Sequence, residues 1–164
     1  MKKIFFLLPV LLLLNGCYSF RGLTVDCAVT KTFSITPFIN NASSAPPTVN
    51  ETFVELLRDK VLSETCLSNT RSNGDVYFSG EVFKYQVTAV APSDNETNLV
   101  NRLTIGISVD YVNTANEKEN LKKRYEWFEE FDSGEDLLSI QDELIITISN
   151  QILEKVFNDA FTNW

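Results

Sequence analysis

Three cysteines, Cys17, Cys27 and Cys66, carry the most reactive side chains of this 164-residue chain. A thiol can be acylated, can pair in a disulfide or can bind a metal. A zinc site is not predicted, because the chain has no histidine and no C-x-x-C spacing. Acylation and disulfide formation are the thiol chemistries that the residue types favour.

Cys17 stands at the end of a signal-like segment. Lys2 and Lys3 precede an uncharged apolar run over residues 4–14, and Asn15 and Gly16 follow it. This order is typical of a secretory signal. About eleven apolar residues are too few to cross a bilayer, since a spanning helix needs about twenty.

The four residues ending at Cys17, Leu-Asn-Gly-Cys, resemble the lipobox of bacterial lipoproteins. The resemblance implies that the Cys17 thiol takes a diacylglycerol and that cleavage in front of Cys17 frees an amine for a further acyl chain. The sequence therefore predicts a signal peptide at 1–16, a lipidated tether at 17–26 and one domain at 27–164. The alternative is an ordinary signal with a buried cysteine nearby.

The charge of the mature chain narrows the possible partners. The chain has 14 basic and 22 acidic residues, so without Lys2 and Lys3 the balance is 12 against 22, or −10. Nucleic acid is not an expected partner, because phosphate binding depends on clustered lysine and arginine. Attachment to a membrane is expected to depend on the acyl chains, since two or more give stable anchoring.

An enzymatic activity is not predicted. The chain has no histidine to act as a general base, and its six glycines form no phosphate-binding loop. Adjacent acids such as Glu129 and Glu130 are read as solvated surface in an acidic chain. We expect no cofactor and no metal.

Cys27 and Cys66 remain after lipidation of Cys17. Export places both thiols in an oxidising space, where a pair of cysteines is normally bridged. A disulfide is the first reading, and two separate buried thiols are the alternative.

The first half of the mature chain predicts one strand and one helix. Residues 31–40 alternate in polarity, and Pro37 places this strand at an edge or ends it. Thr48 and Glu51 match a capping box in front of apolar residues at helical spacing. This first helix is expected to end near Cys66.

Three long strands and a second helix are predicted next. The strands cover residues 76–91, with a bulge or bend after Gly80, and then the regions 103–111 and 121–131. Short polar links between them predict an antiparallel meander. The segment 133–136 starts a helix that is expected to continue to the C-terminus.

The second helix has an apolar arc that is wider than contact with a sheet alone requires. We expect it to contact both the sheet and the first helix. The alternative is that a stripe of Phe157, Phe161 and Trp164 meets a partner protein.

The predicted fold is α+β, a two-layer β-α-β-β-β-α sandwich. Two helices pack on one face of a four-stranded, mainly antiparallel sheet, since the apolar residues lie on one sheet face. The first helix runs back towards the start of the first strand, which brings Cys66 near Cys27.

Several segments in fixed order also carry a family resemblance. They are Cys17-Tyr18-Ser19-Phe20, Thr32-Phe33-Ser34-Ile35 with Pro37-Phe38, Thr52-Phe53, Leu57-Arg58-Asp59, Leu62-Ser63, Gly80-Glu81, Tyr85-Gln86-Val87-Thr88, Asn101-Arg102-Leu103-Thr104, Gln141-Asp142-Glu143-Leu144-Ile145 and Asn163-Trp164. Together with the lipobox, this order resembles the LptE family of lipopolysaccharide-assembly lipoproteins of Bacteroidetes-type bacteria. Tyr18 departs from the Gly that many members have at that place.

The resemblance implies a lipid-anchored protein of the outer membrane, with its domain in the periplasm or in the lumen of a barrel. Its partners would be an LptD-type β-barrel, which it plugs and helps to assemble, and lipopolysaccharide, which it helps to deliver to the outer leaflet. If basic residues bind lipopolysaccharide, as the resemblance implies, the candidates are Arg102, Lys122, Lys123 and Arg124. A solvated strand is the other reading of Lys122 to Arg124. A periplasm-facing binding or adaptor lipoprotein unrelated to lipopolysaccharide export is the alternative function.

Overall fold

The computed structural model describes residues 25–91 and 99–162. The predicted signal peptide, Cys17 and Trp164 lie outside these residues. The elements are β1 (Thr32–Ile35), β2 (Ile39–Asn40), α1 (Thr48–Glu64), β3 (Ser68–Asn69), β4 (Val76–Val90), β5 (Val100–Asn113), a 3₁₀ turn (Glu117–Glu119), β6 (Leu121–Asp132) and α2 (Leu137–Phe161). The predicted α+β class is confirmed.

The sheet has six strands in the order β3-β1-β4-β5-β6, with β2 also paired to β4. The predicted meander is present, because β4 pairs antiparallel with β5 and β5 pairs antiparallel with β6. Both helices pack against the same hydrophobic core on one side of this sheet.

The prediction of four mainly antiparallel strands is wrong in its detail. The predicted strand over 31–40 splits around Pro37 into β1 and β2, and both run parallel to β4. Proline has no N–H to donate, so the ladder is interrupted there. The parallel pairing follows from α1, which carries the chain back before β4 begins.

The predicted capping box at the start of α1 is also wrong. Pro47 takes the cap position with helical dihedral angles, φ −56° and ψ −28°, and makes no side-chain cap bond. The N–H of Val49 already donates to the carbonyl of Pro46 at 3.1 Å. Thr48 is therefore inside the helix, where its hydroxyl cannot act as an extended N-cap does.

Helix α2 begins directly after the segment 133–136, which confirms the predicted start. The carboxylate of Asp136 caps it by accepting from the N–H of Leu138 at 3.3 Å. The rings of Phe157 and Phe161 are 4.9 Å apart, and Phe161 also lies 6.0 Å from Phe78 on β4. Phe157 and Phe161 are thus core residues, which agrees with the predicted contact between this helix and the sheet. The alternative, that they belong to a stripe that meets a partner protein, is wrong for these two residues.

Cys27 and Cys66 are joined by a disulfide, with their Cα atoms 6.1 Å apart. Cys27 precedes β1 and Cys66 follows α1, so the bond joins the two ends of the unit formed by β1, β2 and α1. Neither helix described is long and apolar enough to cross a membrane.

Candidate binding face

The side of β4, β5 and β6 that faces away from the helices is called the open face here. Alternation along β5 defines it: Val109 and Tyr111 are fully buried beneath the helices, whereas Ser108 and Asp110 point the other way. Side chains of successive strand residues leave opposite sides of a sheet. The open face is therefore continuous across the three strands.

Phe83 reaches the open face through a β-bulge. The register between β4 and β5 shifts between Val82 and Lys84, so Phe83 is an extra residue without a partner in the ladder. Its ring covers Gly106, where an added Cβ would lie 2.7 Å from the ring. Glycine is thus required at 106 for this ring to pack so closely on the sheet.

The bulge or bend predicted after Gly80 is confirmed, and it lies at Phe83. Gly80 instead makes room on the covered side, where an added Cβ would lie 2.5 Å from the ring of Phe38. Glycine in a strand can mark a bulge or a close approach, and here it marks the approach.

Opposite charges pair across the open face. Lys84 pairs with Glu126 at 2.8 Å, Lys122 pairs with Asp110 at 3.0 Å, and the Nε of Arg102 donates to Glu130 at 3.1 Å. These pairs are exposed, and such pairs contribute little to stability, about 0–1 kcal/mol each. Their effect is to balance the charge of this face in an otherwise acidic chain.

Two arginines lie over aromatic rings on the same face. The guanidinium of Arg102 is 4.1 Å from the ring centre of Phe128, and that of Arg124 is 4.8 Å from Phe83. Arg124 forms no ion pair with a carboxylate among the residues described. It is therefore the basic residue of β6 whose charge is most available to a ligand.

Lys123 does not belong to the open face. Its ammonium group pairs with Asp159 of α2 at 2.7 Å, and the hydroxyl of Tyr125 donates to the same carboxylate at 2.8 Å. Burial, together with the hydrogen bond to Asp159, raises the pKa of Tyr125. Burial acts to raise the pKa of Asp159, but the hydrogen bonds from Lys123 and Tyr125 outweigh it and lower that pKa.

The four basic residues named from the sequence therefore do not form one patch. Arg102 lies opposite Glu130, whereas Lys122 lies opposite Asp110, eight residues further along β5. At about 3.4 Å per residue these positions are roughly 27 Å apart. Lys122 and Arg124 share one end of the open face, Arg102 lies at the other end, and Lys123 contacts α2.

Sequence reasoning did not identify Phe83, Lys84, Phe128 or Lys155. The ammonium group of Lys155 lies 4.2 Å above the ring of Trp127, beside a groove of about 420 Å³ between β6 and α2. The alternation of β6 already placed Phe128 with Lys122 and Arg124, so that residue could have been found. The bulge hid Phe83 and Lys84.

A second groove, of about 590 Å³, lies at the end of the sheet beside residues 34–37 and 71–75. Next to it, the carboxylate of Asp75 accepts from the N–H groups of Lys31 and Thr32 and from the Thr32 hydroxyl. These bonds, the one from the Lys31 N–H foremost, lower the pKa of Asp75. In the part of the chain described, no three acidic or cysteine side chains are grouped as a metal site would need.

Comparison with solved structures shows a protein of similar fold. The chain is similar to the hypothetical protein CT253 from Chlamydia trachomatis, with 8% identity over 77% of this chain and 93% of that chain, and a TM-score of 0.51. It is also similar to a minor lipoprotein from Acinetobacter baumannii (12% identity, 81% and 97% covered, TM-score 0.48) and to the PelC dodecamer from Paraburkholderia phytofirmans (9%, 79% and 88%, 0.48). At 8% identity the likeness to CT253 concerns the fold alone.

The family follows from the sequence. The model of LptE, the lipopolysaccharide-assembly family, matches residues 30–160, and the chain belongs to this family. The predicted resemblance to LptE is thus confirmed. No curated protein matches the chain significantly.

Proposed function

We propose that this protein is a lipid-anchored component of the outer membrane that occupies the lumen of an LptD-type β-barrel. There it supports assembly of the barrel and assists delivery of lipopolysaccharide to the outer leaflet. The family match over residues 30–160 is the observation that carries this proposal.

The open face supports occupation of a barrel lumen. The interior of a large barrel is polar unless it is plugged. Lys84, Lys122 and Arg102 on this face are each paired with a carboxylate, so these three charges are already neutralised when the face contacts a polar wall. The helices on the other side give this face a rigid backing.

Co-purification tests the barrel partnership. The full-length protein carries a C-terminal tag in its native host, outer membranes are solubilised in mild detergent, and bound proteins are identified by mass spectrometry. We expect an LptD-type barrel in the eluate, and depletion of the tagged protein should lower the amount of folded barrel. Recovery of periplasmic proteins without a barrel would favour an adaptor lipoprotein instead.

Lipidation of Cys17 is part of this proposal. Cys17→Ser should leave the precursor uncleaved and unlabelled by radioactive fatty acid, because the acylated thiol is required before cleavage. Labelling of the variant equal to that of the wild type would rule this anchor out.

Contact with lipopolysaccharide is proposed at the open-face residues Arg102, Lys122 and Arg124. Phosphate groups of the lipid would compete with the carboxylates for these cations, and arginine can bind phosphate through two hydrogen bonds. Arg124, which has no carboxylate partner among the described residues, should contribute most.

A triple alanine variant at Arg102, Lys122 and Arg124 tests this contact, with Lys123→Ala as the matched control on the other side of the strand. Binding of purified lipopolysaccharide to the triple variant should weaken and become less sensitive to salt, because charged contacts are screened. The control should bind as the wild type does. Unchanged binding and salt response in the triple variant would leave a scaffold role in barrel assembly.

A further inference from the structure

The groove of about 590 Å³ at the end of the sheet is bordered by unused hydrogen-bond donors. The guanidinium of Arg71 forms no ion pair with a carboxylate of the described residues. The backbone N–H groups of Arg71, Ser72 and Asn73 likewise have no acceptor within residues 25–91 and 99–162. One cation and three successive N–H groups are a set of donors that suits an anion.

The segment that carries these donors is held against β1. The N–H of Thr70 donates to the carbonyl of Phe33 at 2.8 Å. The N–H of Gly74 donates to the hydroxyl of Ser34 at 3.3 Å, and an added Cβ at Gly74 would lie 2.6 Å from the backbone of β1. The donors are therefore in place before a ligand arrives, which lowers the ordering cost of binding.

Asn73 gives this segment its shape. Its φ of 55° is left-handed, a conformation that asparagine adopts more readily than most residues. Successive N–H groups around such a turn can form a concave site for an anion. A phosphate group has more acceptor oxygens than a carboxylate, and arginine can bind it through two hydrogen bonds, so phosphate uses this set of donors best.

Asp75 is the carboxylate among the residues that line the groove. Its Oδ2 accepts from the N–H of Lys31 at 2.9 Å and from the N–H and the hydroxyl of Thr32 at 3.0 Å and 2.9 Å. Its charge is thus stabilised by the start of β1, and the guanidinium of Arg71 stays available.

The groove also has an apolar side. Ile35, Pro37 and Tyr77 line it, and Tyr77 is 37% exposed. Tyrosine is enriched where a membrane meets water, because its ring is apolar and its hydroxyl is polar. An inorganic phosphate ion would leave this side unused, whereas the glycerol and the first carbons of a phospholipid would cover it.

The groove lies at the end of the sheet from which the predicted lipid anchor leaves. Phe33 of β1 pairs with Val76, the first residue of β4. Cys17 precedes Val25, where the described chain begins, by eight residues, which span at most about 28 Å. The other end of β4, at Val90, is roughly 48 Å from Val76. A bilayer that holds Cys17 is therefore nearer to the groove than to the far end of the sheet.

We propose that this groove binds the phosphate group of a phospholipid from the leaflet that holds the anchor, through the guanidinium of Arg71 and the N–H groups of Ser72 and Asn73. The site is separate from the open-face residues proposed to contact lipopolysaccharide. The phosphate chemistry stands on the groove alone, whereas the choice of a phospholipid as its source rests on the lipidation of Cys17 in the proposed function.

Lipid titration tests the site. The full-length lipoprotein, purified in a neutral detergent, is titrated with dihexanoyl-phosphatidylglycerol, and bound lipid is counted by native mass spectrometry. We expect a single lipid on the wild type. Arg71→Ala should weaken its binding about tenfold or more, because a charge-assisted contact is lost. Arg71→Lys should bind with intermediate affinity, since an ammonium group lacks the two-pronged geometry.

Two controls separate this site from general attraction between charges. Arg58→Ala removes an arginine of α1 that does not line the groove, and it should bind lipid as the wild type does. Dihexanoylglycerol, which has no phosphate, should not bind, and inorganic phosphate should compete only weakly. The same spectra show whether Cys17 carries acyl chains, so a missing anchor is seen separately from a missing lipid site.

Fluorescence quenching tests which end of the sheet faces the bilayer. Lys118→Cys, in the 3₁₀ turn beside Thr114, and Asp132→Cys, at the far end of β6, are each labelled with a dye in the lipoprotein reconstituted into phosphatidylcholine vesicles. Lipids that carry a spin label on the headgroup should quench the dye at residue 118 more strongly than the dye at residue 132.

Four results would overturn the proposal. They are equal lipid binding by Arg71→Ala and the wild type, an equal loss in Arg58→Ala, binding of inorganic phosphate as tight as that of the lipid, and equal quenching at residues 118 and 132. The third would show a site for free phosphate, and the fourth would show that the groove does not face the leaflet.

Discussion

The two faces of the meander have the same strands but are stabilised in different ways. Beneath the helices, Phe78, Ile107 and Tyr111 are fully buried, and the rings of Phe78 and Tyr111 pack against Phe161 of α2. On the open face, charges pair with charges and arginines lie over rings at exposed positions. The covered face therefore supplies most of the stability, which leaves the open face free to be shaped by what it contacts.

Three consecutive residues show how strict this division is. Lys122 and Arg124 contact open-face groups, whereas Lys123 between them reaches Asp159 on α2. Consecutive basic residues in a strand therefore lie on opposite faces of the sheet. A variant that replaces all three changes both the open face and the contact with α2.

Replacing an aromatic ring on each face should give the largest difference. Phe78→Ala should lower the free energy of unfolding by about 3–5 kcal/mol, because it leaves a cavity beside Tyr111 and Phe161. Phe128→Ala should cost about 1 kcal/mol or less, since its ring is 44% exposed. Urea unfolding followed by circular dichroism measures both, and equal losses would contradict the division between the faces.

Removal of the disulfide should cause the second largest loss in the free energy of unfolding. Cys27→Ser with Cys66→Ser should lower the free energy of unfolding by about 2–4 kcal/mol, given the 39-residue separation. The control is the wild type treated with reductant, which should be destabilised to a similar extent. Mass spectrometry of the domain over residues 27–164 without reductant should show two hydrogens fewer than the reduced form, and two freely alkylated thiols would disprove the bond.

Replacing one aspartate on each face compares how much the ion pairs of the two faces contribute to stability. Asp159→Ala should cost about 1–2 kcal/mol, because it leaves the hydroxyl of buried Tyr125 and the ammonium of Lys123 without their acceptor. Asp110→Ala removes only the exposed partner of Lys122 and should cost about 0.5 kcal/mol or less. Thermal unfolding of both variants at low salt ranks them, and the opposite ranking would contradict the comparison.

The smallest expected effect is the contribution of the Asp75 carboxylate to stability, which should be lost in acid. Its pKa is lowered in the folded protein, so its contribution to stability is present above the unfolded value, about 3.9, and is lost as the pH falls through the lower folded value. Asp75→Asn should therefore be less stable than the wild type at pH 7, and the two should converge in strong acid. Parallel stability curves across this range would show that the carboxylate charge plays no part.

The sequence predicted the parts of the fold that alternation encodes directly. The apolar residues of β5, Leu103 to Tyr111, identified the covered face, and the same alternation in β6 already placed Lys123 with Tyr125. Grouping Lys123 with Lys122 and Arg124 ignored that information.

Other features depend on contacts that no local pattern records. The two-residue strands β2 and β3 exist because β4 and β1 offer them a partner, and the side of the sheet that the ring of Phe83 takes depends on the space above Gly106. The helix cap at Pro47 depends on the turn before it.

The position of the Cys27–Cys66 bond has a consequence for the speed at which the chain reaches its fold. The meander forms from neighbouring hairpins, but β1 and β2 pair with β4 only after the chain has passed through the whole of α1. Such distant pairing is slow, because the entropy of closing the intervening loop is lost before any contact compensates for it. A bond that already holds the two ends of that loop together removes much of this delay. We expect the oxidised chain to refold faster than the reduced one in stopped-flow measurements, and equal rates would show that β1 and β2 dock without help from the bond.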